Sequence, residues 1–296
     1  MAAYVPRRIS RSRFIEARGL TLHLREWGSG DAPTLVLLHG AQDTSASFQF
    51  LVDAFESEWH VLAPDWRGHG LSSWTPGNYS MADFLCDLET VVLEAAPSGP
   101  LDIVAHSLGG LIASIYAGVR PSRVRRLVTL DSLGPAPERL PVHMPAMLRG
   151  LLDSLGATPT RRIYGSHEEM ALRLRRRNPR VDEVGSQFLA QVNAQPVGNG
   201  FVWPHDPAFV RSWPALHTLE EWGECWRRIE APVMCLLASE PRPKSTTADS
   251  AVMRERARFF SALTLRTIAG AGHNLHHDAP VAVAQAVEGF LGQEER

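Results

Sequence analysis

Lysine is almost missing from this sequence. Lys244 stands alone, and arginine supplies the rest of the 30 basic side chains. Against 32 acidic residues the formal net charge is −2, which gives no general pull toward nucleic acid or an anionic membrane. Cysteine is also scarce. Cys86, Cys225 and Cys235 are not paired at short spacing, so neither a disulfide framework nor a zinc knuckle is indicated, and free thiols suit a reducing compartment. No run reaches the ~20 consecutive apolar residues of a membrane span. The arginines between Met1 and Arg13 are followed by no apolar segment, so no secretory signal is read. The expectation is a cytoplasmic protein acting on a small molecule, with no nucleic-acid or membrane partner. Oligomeric state stays open.

What is present is ordinary for a soluble globular chain. Of 296 residues, 44% are hydrophobic and 21% charged, enough to bury a large core without a disulfide or a metal. Phe14–Arg18 and Leu20–Trp27 alternate weakly around Gly19 and read as a hairpin. Short continuous apolar runs at Thr34–Leu38, Val61–Ala63, Leu101–Ala105, Arg126–Leu130, Pro232–Leu237 and Leu263–Ile268 read as strands buried on both faces. Between them, Met81–Ala95, Leu108–Val119 and Val281–Leu291 carry helical spacing. Alternation of this kind predicts an α/β fold, a mostly parallel central sheet with helices on both faces.

The alternation breaks once, after Asp131. Helical segments at Met144–Leu155, Ser166–Arg176 and Val181–Val192 precede an aromatic stretch with Phe201, Trp203, Phe209 and Trp213. So long a connection implies structure of its own. Residues 134–228 are therefore read as a mainly helical cap inserted after the sixth strand, and residues 1–133 with 229–296 as the core.

Three segments carry chemistry. In Asp102-Ile-Val-Ala-His-Ser107-Leu-Gly-Gly110 a strand ends, one serine follows, and a helix begins at once. A turn that sharp admits only small neighbours, here Ala105 and Gly109, and exposes the hydroxyl at the positive end of a helix. Val36-Leu-Leu-His39-Gly40-Ala41 ends a strand in a turn whose Ala41 amide, with that of Leu108, would form an oxyanion hole. Ala269-Gly-Ala-Gly272-His273-Asn-Leu-His276-His277-Asp278 offers a histidine after a glycine-rich turn. A serine is a poor nucleophile until such a base comes within hydrogen-bond reach. Among these histidines His273 is the expected base, and His276 and His277 are expected as polar surface. Arg67 and His69, in Asp65-Trp-Arg-Gly-His69-Gly70, are read as tying loops together. The cap arginines Arg173, Arg175, Arg176, Arg177 and Arg180 are read as a solvated helix face, with a site for an acidic group as the other reading.

His39-Gly40, Asp65-Trp-Arg-Gly-His-Gly70, Ala105-His-Ser107-Leu-Gly109 and Gly270-Ala-Gly-His273 resemble the α/β-hydrolase fold in order and spacing, over nearly all the chain except the cap. More narrowly, Leu38-His-Gly-Ala-Gln-Asp-Thr-Ser-Ala-Ser-Phe48, His69-Gly-Leu-Ser-Ser73 and Leu130-Asp131-Ser132 are similar to the serine hydrolase-like protein family. The resemblance implies Ser107 as nucleophile, which argues against haloalkane dehalogenases and epoxide hydrolases, whose nucleophile is aspartate. The acid that orients His273 has two candidates. Asp131 ends the strand next to that of the nucleophile, as the acid does in one subgroup of haloalkane dehalogenases, and the serine hydrolase-like family resembles this. Glu240 lies in the loop where the commonest arrangement puts its acid, but in Ala238-Ser-Glu240-Pro the glycine is missing and Pro241 takes the usual aspartate position.

The resulting expectation is a serine hydrolase working through an acyl-enzyme on a neutral, fairly apolar ester, lactone or thioester. No cofactor or metal is called for, and Phe201, Trp203, Phe209 and Trp213 either line an apolar pocket over Ser107, with Trp203 and Trp213 the candidates to meet substrate, or form the cap's own small core. Cofactor-free carbon–carbon hydrolases and perhydrolases also resemble this set. So does a ligand receptor that retains the triad.

Overall fold

The computed structural model describes residues 3–76, 79–137, 140, 144–154, 160–211, 217–240 and 250–292. Strands β1 (Arg11–Ala17) and β2 (Leu20–Trp27) form an antiparallel hairpin. Its turn, Arg18-Gly19, has φ of 54° and 78°, the positive pair a two-residue hairpin turn demands. Next along the chain come β3 (Thr34–Leu38), β4 (His60–Pro64), β5 (Leu101–His106) and β6 (Val124–Leu130). The chain later adds a small hairpin, β7 (Gln195–Val197) with β8 (Gly200–Val202), and two further core strands, β9 (Val233–Ala238) and β10 (Leu263–Ile268).

The large sheet runs β1-β2-β4-β3-β5-β6-β9-β10. All its pairings beyond β2–β4 are parallel. The connection from β3 leads to β4 on one side, and that from β5 leads to β6 on the other. Loops diverging from adjacent strands open a crevice at the strands' carboxyl ends, the usual place for a ligand in an open α/β sheet. Gly40-Ala41 and Ser107 both lie at that crevice.

Alternation in β3 divides the core. Val36 and Leu38 face one apolar cluster, together with α2 (Met81–Ala95), α3 (Leu108–Val119) and α7 (Leu219–Trp226). Leu35 and Leu37 face another, covered by α1 (Gln49–Ala54) and α10 (Pro280–Leu291), with the single turn α9 (Leu275–Asp278) beside them. Helix α8 (Ser250–Ala257) puts Met253 against Leu133 and Cys235.

Between β6 and β9 the chain forms α4 (Met144–Ser154), α5 (His167–Arg177), α6 (Glu183–Asn193), the β7–β8 hairpin, a 3-10 turn at Pro207–Arg211 and α7. Helices α5 and α6 start where Ser166 and Asp182 accept the Glu169 and Gly185 amides. The hairpin was not foreseen from sequence. Its strands are very short and Pro196 interrupts one of them, although Gly198-Asn199 is a turn signal. Helix α7 joins the main core: Trp226 Nε1 donates to Ser114 Oγ at 3.1 Å, and a Cβ on Gly118 would lie 2.0 Å from the Cys225 carbonyl oxygen. Residues 204–206 of the inserted segment rest on the loop after β4, while α6 meets Phe50 and Thr44. Gly70 N–H donates to Pro204 O at 2.6 Å, Asp206 N–H to Gly68 O at 2.7 Å, and Tyr79 O–H to Asp206 Oδ2 at 2.5 Å.

That loop is fixed in turn by Arg67, whose guanidinium donates to both oxygens of Asp87 at 2.7 and 2.6 Å and lies 3.1 Å from Asp83 Oδ1. Asp87 is fully buried, so removing its cation strands a charge in the core. Arg67→Met should therefore cost about 3–5 kcal/mol of stability. The measurement is a urea midpoint at unchanged m-value; a loss under about 1 kcal/mol would show that the pair is dispensable.

Candidate active site

Strand β5 ends at His106 and α3 begins at Leu108, leaving Ser107 alone to make the turn. Its backbone sits at φ 49°, ψ −111°, a region an L-residue enters at a cost of about 1–3 kcal/mol. Three hydrogen bonds hold it there. Ser107 N–H donates to Leu130 O at 3.2 Å, and Ser107 O accepts from Leu111 N–H at 3.1 Å and from the Ser132 hydroxyl at 2.8 Å. The small neighbours follow from crowding. A Cβ on Gly109 would lie 2.4 Å from Leu38 O, one on Gly110 2.6 Å from Ser132 Cβ, and one on Gly40 2.7 Å from His106 Nδ1.

His273 reaches this serine from the loop after β10. Its Nε2 lies 3.1 Å from Ser107 Oγ and its Nδ1 2.7 Å from Asp131 Oδ2. A carboxylate accepts only, so the Nδ1 proton points at Asp131 and Nε2 keeps a lone pair toward the serine hydroxyl. Asp131 is itself held. Its φ is 48°, its N–H donates to Leu236 O at 2.8 Å, and its Oδ1 accepts from Ala238 N–H at 3.3 Å. A further bond comes from His106, whose Nε2 lies 2.9 Å from the His273 carbonyl oxygen. Glu240 is elsewhere. Its side chain is 57% exposed and paired with Arg180, and only its backbone N–H reaches toward this loop, donating to Ala271 O at 3.1 Å. The structure thus brings Ser107, His273 and Asp131 into one hydrogen-bonded series and leaves Glu240 outside it.

The Leu108 amide follows the serine directly, and the Ala41 amide follows Gly40, on which a Cβ would lie 3.1 Å from Ser107 Cβ. Among the described residues, neither donates to a protein acceptor. The turn that carries Ala41 is braced by two buried histidines. His39 Nδ1 lies 2.7 Å from Gly40 O while its Nε2 accepts from Trp66 N–H at 3.0 Å. His69 Nε2 accepts from Gln42 N–H at 3.1 Å, with Nδ1 3.1 Å from Arg67 O. Burial lowers the pKa of both rings, His69 to about 3, so each stays neutral and keeps the lone pair its Nε2 uses. Below them Asp65 accepts from Ser45 N–H at 2.7 Å and Leu71 N–H at 3.0 Å, with His23 Nδ1 2.8 Å away. A Cβ on Gly70 would lie 2.0 Å from Asp65 Oδ2, which accounts for the second glycine of that loop.

Other expectations divide. His276 is fully buried rather than surface, with its ring 4.6 Å from that of His106 and 5.0 Å from Phe48. His277 is half-buried. Sequence reasoning also passed over Asp43, which these histidines approach; Asp43, His276 and His277 are a donor set able to hold a metal ion. Trp203 packs with Tyr164, Met170, Ala171 and Ala190 in a small cluster of the inserted segment. Trp213 lies outside the described residues. Phe209 joins the main core, edge-on to His69 at 4.7 Å. Arg173, Arg176 and Arg177, at i, i+3 and i+4 of α5, are exposed on one face as the solvated-face reading expects, whereas Arg175 lies 4.0 Å from Glu183 and Arg180 pairs with Glu240. Burial, then Arg177 and Arg161, push His205 down to about 4.

The family model of the alpha/beta hydrolase fold matches residues 33–280. Over 280 residues the chain is 26% identical to a serine hydrolase-like protein of Danio rerio, covering 90% of this chain and 83% of the relative. It is 25% identical to (E)-2-((N-methylformamido)methylene)succinate hydrolase of Acinetobacter baylyi, covering 92% and 94%. Among solved structures, the thioesterase domain from the curacin biosynthetic pathway superposes with a TM-score of 0.81 at 27% identity, covering 94% of this chain and 99% of that one.

The buried histidines set an acid limit on the fold. An unfolded histidine takes its proton near pH 6.5. In the folded chain burial holds His69 and His277 to about 3 and His205 to about 4, and lowers His39 and His106 as well. Below 6.5 the unfolded chain binds more protons, so this stability is complete above pH 6.5 and is lost as pH falls toward 4. The slope is up to about 1.4 kcal/mol per pH unit for each such group. Carboxylates such as Glu26, held to about 2 chiefly by Arg11 and also by His60, enter only below about pH 4.3. Urea midpoints should fall steadily from pH 7 to 5, and a flat profile there would contradict neutral burial.

Proposed function

The chain belongs to the alpha/beta hydrolase fold family, and within it we propose a serine hydrolase that works through an acyl-enzyme. One observation carries this reading: the continuous series from Ser107 Oγ through the His273 ring to Asp131, at 3.1 and 2.7 Å. His273 Nε2 takes the serine proton as Oγ adds to the substrate carbonyl carbon. Asp131 holds the ring in the required tautomer and stabilises the imidazolium that forms. The Ala41 and Leu108 amides receive the developing oxyanion. His273 then protonates the leaving group, and on the return half-reaction takes a proton from water as that water attacks the acyl carbonyl. The strained turn at Ser107 keeps Oγ clear of its own helix and ready for attack.

The proposed substrate is a neutral, fairly apolar ester, lactone or thioester. The likeness to a thioesterase domain supports an acyl substrate. We assign selection of the acyl or alcohol part to residues 134–228 as a cap, with Trp203 and Trp213 among its rings. Arg161 and Arg177, whose charges lower the pKa of His205 where it bridges His69, favour a second reading in which the acyl chain ends in a carboxylate. That reading also fits the relative named as a succinate hydrolase.

Turnover of p-nitrophenyl esters tests both. Ser107→Ala should lose fluorophosphonate labelling and turnover together. Asp131→Asn should lose on the order of 10⁴ in kcat, by analogy with the serine proteases, whereas Glu240→Gln should stay near normal; the reverse pattern would reassign the acid. With acyl chains of equal length, the neutral one should be the better substrate. Preference for the carboxylate-ended chain, lost in Arg177→Ala, would establish the second reading instead.

A further inference from the structure

Next to the serine series, the described residues hold a second convergence of ligand-type side chains. Asp43 lies just beyond the oxyanion turn, and His276 and His277 lie on α9, just beyond His273. One donor atom from each lies within 4.8 Å of the other two. Asp43 Oδ2 is 3.7 Å from His276 Nε2, and the two imidazole rings are 4.1 Å apart. The Ser47 hydroxyl donates to Asp43 Oδ2 at 2.8 Å and lies 3.4 Å from His276 Nε2.

The cluster is enclosed and incompletely satisfied. His276 is fully buried. The Nε2 of His277 is shielded from solvent with no hydrogen-bond partner among the described residues, and the His276 nitrogen toward Asp43 is Nε2. Buried polar atoms are ordinarily paired, and leaving one unmade costs about 1–3 kcal/mol. Two ring nitrogens and one carboxylate are the donors that a borderline transition ion takes, with a fourth position left for water. Hard ions such as Mg²⁺ and Ca²⁺ want oxygen throughout and are a poor match.

We propose that Asp43, His276 and His277 form a binding site for one Zn²⁺ ion or a similar transition ion, separate from Ser107 and His273. Bonds of about 2.0–2.2 Å in a tetrahedron place donor atoms about 3.4 Å apart, so small side-chain rotations close the cluster. Ser47 is the outer partner that orients the carboxylate. Bound there, the ion links the turn after β3 to the turn after β10, two segments that meet only in the folded chain. Binding therefore stabilises the fold by mass action.

The test uses the whole chain, stripped with a chelator and titrated with zinc chloride by calorimetry, with thermal unfolding followed in parallel. One ion per chain and a Tm that rises with zinc are expected. Asp43→Asn and His277→Ala should each weaken binding at least about 10–100-fold, and their Tm without zinc reports whether they fold. His273→Ala removes the nearby ring but no proposed ligand, and should bind as the parent does. Cobalt(II) should give a visible d–d band in the parent and in His273→Ala but not in Asp43→Asn. The site is ruled out by binding weaker than about 1 mM, by unchanged affinity in both ligand variants, or by its loss in His273→Ala. No substrate enters these measurements, so the outcome does not depend on the serine mechanism.

Discussion

The site depends on one unfavourable backbone. Ser107 occupies a φ of 49° that its own side chain disfavours, and nothing within the residue repays that cost. The surroundings do. β6 takes its N–H through Leu130 O, Ser132 takes its carbonyl, and three glycines leave room for a helix pressed against two strand ends. The positive φ of Asp131, one strand away, belongs to the same arrangement: both residues turn out of parallel strands at the same level, which brings hydroxyl and carboxylate to opposite edges of one imidazole.

Around this turn the chain braces its loops with buried polar groups. Neutral histidines act as two-ended connectors, a ring N–H to one carbonyl and a ring lone pair to one amide, as at His39 and His69. An imidazole is suited to this because burial removes its charge at modest cost, whereas a buried lysine or arginine would need a counter-ion. The carboxylates that remain ionised are paired: Asp65 with His23 and backbone amides, Asp87 with Arg67. Such a framework fixes the turns beside Ser107 through paired polar groups, the preorganisation that the proposed oxyanion site requires.

How much of this could be read from the chain depends on how local each cause is. The strand runs, α2 and α3, the serine turn and the histidine loop arise from spacing and small residues within a few positions, and their limits agree with the structure closely. The acid is a different matter. Glu240 is a candidate on its own loop, and only the fold shows it paired with Arg180, sixty positions earlier in the chain, while Asp131 meets the His273 ring. His276 and His277 beside each other look like solvated surface, but Phe48 and His106, from two other elements, cover the first. The β7–β8 hairpin and the docking of α7 on α3 depend on short strands and on a glycine contact between distant segments, which periodicity does not register.

His106 occupies the variable position just before Ser107 in the turn between β5 and α3. In this chain it is occupied on every side: its ring bonds the carbonyl of His273, lies face-near to His273 at 4.8 Å and to His276 at 4.6 Å, and closes against Gly40. For protein engineering this turns a permissive letter into a restricted one. A library varied at 106 alone disturbs the loop that carries His273, so useful diversity there has to be built together with positions 273 and 276. The segment between β6 and β9 shares none of these ring contacts, so substitutions there leave the packing of His106 untouched.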